Sequence, residues 1–389
     1  MNTATSPPAQ RVPASAQLAL FVLVFAVGLL AGAGRPRVID EYMVWLQAES
    51  LVQRGDLAVP QAERLGIWYG VRGRDGRPYA PYGPLHAALL APAVRLGEPL
   101  AAWFGIPASQ RDLVRPFAAA HLCTLALAGC AVAIARLAAA CGASVRAACA
   151  TGAVGVLCTA WLPYAGTLFS EPFAALLLLL ALRPLAERRE RRELVSGSWF
   201  AATLLLRPSH AVLAPAFALG WAVATPRRCS RALVRLALWA LPVAVAAGWL
   251  LWYNAATYGD PFELGYPSHA EAGLPINTFD TPLVRGLFGL LASPGKSLPL
   301  HVPLLLLGCA ALAALWRSRR AALLTALAAL LTALLFFARY GQWEGGYAWG
   351  PRYLLPAATL CLPAAAVAAT RRRTGRRWLI ALALAGALV

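Results

Sequence analysis

Apolar runs of roughly 17–25 residues, the length a helix needs to cross hydrocarbon, recur along almost the whole chain. Short arginine-rich stretches and longer Gly/Pro-rich ones separate them. Spans are predicted near 17–34, 114–136, 146–164, 172–186, 195–207, 209–224, 232–253, 298–316, 321–338 and 353–370. A last run, 378–389, is too short to cross as given, and the chain ends inside it, as expected of a fragment or a degenerate member of its class. Runs 195–207 and 209–224 meet at Arg207-Pro208 and read as a tight helical hairpin.

Two outer loops are long, 35–112 and 254–297, and loops of that length ordinarily carry function. In the first, Val44, Ala48, Leu51 and Val52 recur at i, i+4, i+7 and i+8, with Gln47, Glu49, Gln53 and Arg54 between them and Gly55 as a stop. That spacing predicts an amphipathic helix over 41–54, suited to lying along a membrane surface. Segment 84–97 has about ten apolar residues before Arg95, which also suits an interfacial helix better than a span.

Charge fixes the orientation. With 84–97 on the surface, the arginine clusters 136–146, 183–192, 227–235, 317–320 and 371–377 all fall on one side, which the positive-inside rule makes cytoplasmic, and the N-terminus lies there too. Only Glu187, Glu190 and Glu193 of the 17 acidic residues share that side. The five histidines, His86, His121, His210, His269 and His301, lie outside or near outer ends of spans. Carboxylates scarcely affect orientation, so this asymmetry places the polar chemistry on the outer face of the membrane.

Composition agrees: the chain is 59% apolar and only 13% charged, against about a quarter charged in a soluble domain. The net charge of +18 sits in clusters at span ends, so it orients helices and implies no nucleic-acid partner. The eight cysteines lie in apolar runs or at their arginine-rich ends, with no CxxC spacing, so neither disulfides nor zinc are expected. The N-terminal run 18–30 with the small residues after it resembles a cleavable signal; we read it as an anchor, because it holds Asp40 at the bilayer.

Three groups of residues are candidates for chemistry. Asp40 and Glu41 stand where a lipid headgroup would sit; Asp40 reads equally as the N-cap of the helix or as a general base for an alcohol acceptor. Glu171, in Ser170-Glu171-Pro172, either starts a helix or serves a site, since a carboxylate at the edge of a Leu-rich run is costly. Arg207, Arg285, Lys296, Arg339 and Arg352 are the outer cations available to a phosphate; Arg352, in a Gly- and aromatic-rich turn, is the strongest by its bidentate geometry. Lys296 in SPGKS lacks the spacing of a nucleotide loop, and His269 or His301 could meet Asp40 only through tertiary structure.

Asp40-Glu41, Ala48-Glu49, Gly55-Asp56-Leu57, Pro60, Gly76, Tyr79 and Pro84-Leu85 together resemble the first outer loop of GT-C-fold glycosyltransferases. Within that fold the likeness is to the protein O-mannosyltransferase and lipid A aminoarabinose transferase branch. It continues through Ser170-Glu171-Pro172, Arg207-Pro208, SPGKSLPLHVPLLLL and GPRYLLP. The resemblance implies an all-α polytopic bundle of about ten to eleven membrane helices with interfacial helices in the first outer loop. We divide the chain into a catalytic module, 1–224, and a C-terminal module, 225–389.

By resemblance the donor is a polyprenyl-phosphate sugar, transferred with inversion on the outer face to a hydroxyl of a lipid, polysaccharide or protein. Asp40 is then the base, Glu41 and Glu171 lie at the reacting centre, and Arg352, Lys296, Arg207, Tyr82 and His301 contact substrate or phosphate. Tyr82 stands near the place where members often carry a lysine. No metal ligands are assigned; a divalent cation is the only cofactor the resemblance admits. The rival readings are a lipid or small-molecule transporter, which would put ionisable groups at the bilayer midplane and show repeats, and an inactive scaffold of the same fold.

Overall fold

The computed structural model describes residues 10–67, 69–188, 191–224, 229–266, 278–371 and 373–388. His269 and Glu271 lie outside them. The described chain is helical apart from one short antiparallel hairpin, β1 (Val71–Arg72) against β2 (Pro78–Tyr79). In order run α1 (Ala14–Ala31), α2 (Ile39–Arg54), α3 (Pro60–Arg64), the hairpin, α4 (Pro84–Trp103), α5 (Arg111–Ala140), α6 (Val145–Leu157), α7 (Glu171–Glu187) and α8 (Glu193–Leu206). Then follow α9 (Ala214–Ala224), α10 (Cys229–Tyr258), α11 (Leu283–Ala292), α12 (Leu298–His301), α13 (Leu304–Arg339), α14 (Leu355–Thr359), α15 (Pro363–Arg371) and α16 (Arg373–Ala387).

Among the described residues four helical stretches are long and apolar enough to cross a bilayer: Ala14–Ala31, Val114–Ala140, Ser230–Tyr258 and Arg319–Arg339. A bent pair, Arg352–Thr359 with Pro363–Arg371, makes a fifth, where a single straight span over 353–370 was expected. Several other expected crossings are helices of 10–17 residues, among them Val145–Leu157, Glu193–Leu206 and Pro208–Ala224. The chain is a multi-pass membrane protein.

The expected breaks have local causes. Residues 304–339 form one helical run that would be ~54 Å long if straight, far more than the ~30 Å hydrocarbon core. It breaks at Arg319 (φ −137°, ψ 33°), inside the arginine cluster predicted to separate two spans. Arg207 is extended (φ −153°, ψ 102°), as the residue before Pro208 must be to avoid the ring, and it ends α8. Helix α4 reaches Trp103, six residues beyond the predicted end at 97, and still falls outside the set of spans.

Helix α11 was not expected in the second outer loop. Its Gly286 lies so close to α13 that an added Cβ would come within 1.9 Å of the Ala338 carbonyl oxygen, so the two backbones touch. Val284, Phe288 and Leu291 face outward, as on an interfacial helix.

One apolar core runs through the bundle from Val12 to Leu379, and a second, smaller one locks α2 to α4 through Met43, Val44, Ala48, Ala87, Leu90 and Val94. The seven cysteines whose side chains are described are free. At one end of the bundle the arginine-rich turns gather: Arg319 donates to the Ala140 carbonyl at the end of α5, and Ser144 N–H donates to Thr370. At the other end Asp40, Glu171, Arg207 and Arg352 converge.

Candidate active site

A cavity of about 500 Å³ opens at that second end. Four of its charged residues, Asp40, Glu171, Arg207 and Arg352, sit where a helix starts or stops, and Glu263 comes from the loop after α10. Asp40 is in the first turn of α2 and Glu171 is the first residue of α7, placed there by Pro172 beside it. Arg207 is held at the break after α8, and Arg352 follows the turn 344–350, in which Gly345, Gly346 and Gly350 all take positive φ.

The four groups alternate in sign. Arg352 Nη2 donates to Asp40 Oδ2 at 3.0 Å and its Nε lies 3.8 Å from Glu171 Oε1, while Arg207 Nη1 donates to that same Glu171 oxygen. Asp40 keeps 26% of its side chain exposed to the cavity and Glu171 only 1%. Both guanidinium groups lie over the Tyr353 ring, at 4.9 Å for Arg207 and 4.8 Å for Arg352, and Arg352 also faces Phe169 at 5.1 Å. Among the described residues Arg352 Nε and Glu171 Oε2 are buried without a hydrogen-bond partner. A buried charged donor without a hydrogen bond is costly, so Arg352 Nε has a donor to spare for an anionic oxygen brought into the cavity.

Tyr353 carries the charged wall into an aromatic one. Phe337 stacks on it at 4.8 Å, Tyr340 meets it edge-on at 5.8 Å, and Phe279 lies against Phe336 at 4.8 Å. Phe279 and Phe262 are exposed at the rim. The cavity thus joins a place for an anion to a place for an apolar chain.

Tyr82 is half-buried on the same cavity wall with its hydroxyl buried and unpartnered, and burial pushes its phenol well above the ordinary range. Glu41 does not line the cavity. Its carboxylate accepts from Arg37 N–H at 2.7 Å and Leu168 N–H at 2.8 Å, and burial raises its pKa against those two bonds. Neither acid caps α2: no side-chain cap bond is made there, and Glu41 accepts from amides outside the helix. Glu41 thereby ties the start of α2 to the strand of chain before Glu171.

Lys296 and His301 also stay off the cavity wall. Lys296 Nζ donates to the carbonyls of Gly346 (3.1 Å) and Ala348 (2.6 Å), clasping the turn that presents Arg352. His301 is buried with Nδ1 2.9 Å from the Ser297 carbonyl and its ring edge against Trp349. Among the described residues no group of three or more His, Cys, Asp or Glu is placed to hold a metal ion. Sequence reasoning did not single out His86, Tyr266 or Tyr353 as site residues, and all three line the cavity. The only signal was adjacency: His86 follows Pro84-Leu85, and Tyr353 follows Arg352.

The bundle aligns over 96% of its length with the crystal structure of ArnT from Cupriavidus metallidurans bound to undecaprenyl phosphate (TM-score 0.55, 16% identity). It aligns over 95% with the archaeal oligosaccharyltransferase AglB from Archaeoglobus fulgidus, in complex with an inhibitory peptide and a dolichol-phosphate (TM-score 0.51, 12% identity). The chain has the GT-C fold. It spans 64% of the length of the ArnT chain and 54% of the AglB chain. No family model and no curated protein sequence matches it.

Proposed function

We propose that this GT-C chain is a membrane glycosyltransferase that moves a sugar from a polyprenyl-phosphate carrier to a hydroxyl acceptor. The observation that carries the reading is the unpartnered Arg352 Nε, beside the Asp40 carboxylate, at the junction of a charged and an aromatic wall. Donor phosphate pairs with Arg352 and Arg207, and its isoprenoid chain runs out past Phe279 and Phe262 into lipid.

Asp40 takes the proton of the acceptor hydroxyl as that oxygen bonds to the anomeric carbon, and the bond from that carbon to the phosphate oxygen breaks. Attack opposite the leaving phosphate inverts the anomeric centre. Phosphate gains a negative charge as Asp40 loses one, so Arg352, 3.0 Å from Asp40, stays neutralised throughout. Glu171 holds the two guanidiniums in place. The arginine clusters at the opposite end of the bundle support placing the cavity on the outer face of a bacterial cytoplasmic membrane.

The test is incubation of membranes carrying the chain with radiolabelled polyprenyl-phosphate sugars, with and without a chelator. Product is fractionated into lipid, polysaccharide and protein. Label transferred by the wild type and lost in Asp40→Asn, with donor binding kept, supports the reading. Equal turnover by the purified variant removes Asp40 as base.

A further inference from the structure

His86 is the one histidine on the cavity wall among the described residues. It sits in the first turn of α4, and the backbone sets its position. The preceding Gly83 is pressed on the end of α8, where an added Cβ would meet the carbonyl oxygens of Leu205 and Leu206 at 2.3 and 2.4 Å. The imidazole packs edge-on against Phe173 at 6.0 Å. Its Nε2 is buried and has no partner.

Burial, outweighing the neighbouring Glu171 carboxylate, lowers the His86 pKa to about 4, so the ring is neutral near pH 7. A neutral imidazole carries one N–H and one lone pair, and in the tautomer protonated on Nδ1 the lone pair is on Nε2. That lone pair repels phosphate oxygens, which the guanidiniums attract, and an isoprenoid chain leaves it unsatisfied. A hydroxyl donor satisfies it.

We propose that His86 is a specificity residue that reads a hydroxyl of the transferred sugar through Nε2, on the opposite chemical principle from the arginines that hold the phosphate. The inference rests on the glycosyltransferase reading and adds to it a neutral, hydroxyl-bearing sugar subsite beside α4. A hydroxyl of the acceptor has the same chemistry, so donor binding is measured with no acceptor present.

The experiment uses the full chain in nanodiscs and compares binding of undecaprenyl phosphate alone with binding of its glucosyl and mannosyl esters. The wild type binds the better of the two sugar esters about tenfold more tightly than the bare lipid phosphate. His86→Leu removes that advantage and leaves bare-lipid binding unchanged, which also shows the variant is folded. His86→Gln, which returns an acceptor near the Nε2 position, restores part of it. The inference is overturned if the wild type binds all three lipids alike, if His86→Leu keeps the advantage, or if it weakens every lipid equally. A wild type that binds none of the lipids instead brings down the donor reading, and this subsite with it.

Discussion

Arg352 reaches back across 312 positions to hold Asp40 through a 3.0 Å hydrogen bond, joining the last part of the bundle to the first outer loop. The pair separates two jobs the sequence left entangled. Asp40 has no capping role and, among the described residues, its carboxylate is engaged by Arg352, a cation that a phosphate can claim.

Arg352→Gln is expected to weaken binding of a lipid phosphate by about tenfold to a hundredfold, the usual value of a charge-assisted, partly buried contact. Arg352→Lys should recover little, because an ammonium cannot lie flat on Tyr353 and bridge Asp40 and Glu171 at once. Titration of each variant with undecaprenyl phosphate checks this, and full recovery by lysine would contradict it.

Glu41 should prove structural. Glu41→Gln replaces one accepting oxygen with an amide NH₂ that faces a backbone N–H, and about 1–3 kcal/mol of stability should go with it. The midpoint of thermal unfolding should drop, while activity per folded molecule near 20 °C stays within about twofold of wild type.

Lys296 should act through Arg352 without touching substrate. Lys296→Met removes both hydrogen bonds to the turn 344–350 and should raise the donor KM while leaving kcat nearly unchanged. Gly350→Ala is harsher. The residue takes φ +59°, and an added Cβ would lie 2.8 Å from the His301 ring. Its effect should be a loss of folded protein, read by expression and gel filtration.

The pH dependence of stability should carry the signature of His86. Its pKa is about 4 when folded against 6.5 when free, so unfolding takes up a proton between those values. Its contribution is complete above pH 6.5 and is lost as the pH falls towards 4, by roughly 3 kcal/mol at most. The fall in unfolding midpoint between pH 7 and 4.5 should therefore be smaller in His86→Gln than in the wild type, whatever their difference at pH 7.

Orientation is checked by labelling. In a background without native cysteines, a cysteine at Arg64 on α3 should react with an impermeant reagent from outside, and one at Arg371, at the end of α15, should not. The reverse result would invert the membrane topology and move the cavity to the cytosol.

Much of the architecture is local in origin and was legible in the chain. Pro208 ends α8 and the arginines around 319 mark the break in α13, but the stripe Val44, Ala48, Leu51 and Val52 gives only part of the buried face of α2: Met43, Trp45, Leu46, Gln47 and Ser50 are buried as well, and Leu51 and Val52 only partly. Helix α11 was missed because Gly286 and Gly289, which let it lie on α13 and Trp343, look in sequence like loop residues. The bend between α14 and α15 was missed because an apolar run carries no sign of where packing will divide it.

At the site the same division holds. That carboxylates and arginines would collect at the ends of helices follows from hydropathy and charge, since the bilayer leaves few other places for them. Which of two adjacent acids faces the cavity is a matter of helical phase and of what lies opposite: Glu41 meets the Leu168 amide and Asp40 meets Arg352. No one-dimensional pattern holds a pairing across 312 residues, nor the orphaned nitrogen of His86. Those contacts exist only once the helices have packed and burial has decided which polar atoms are left without a partner.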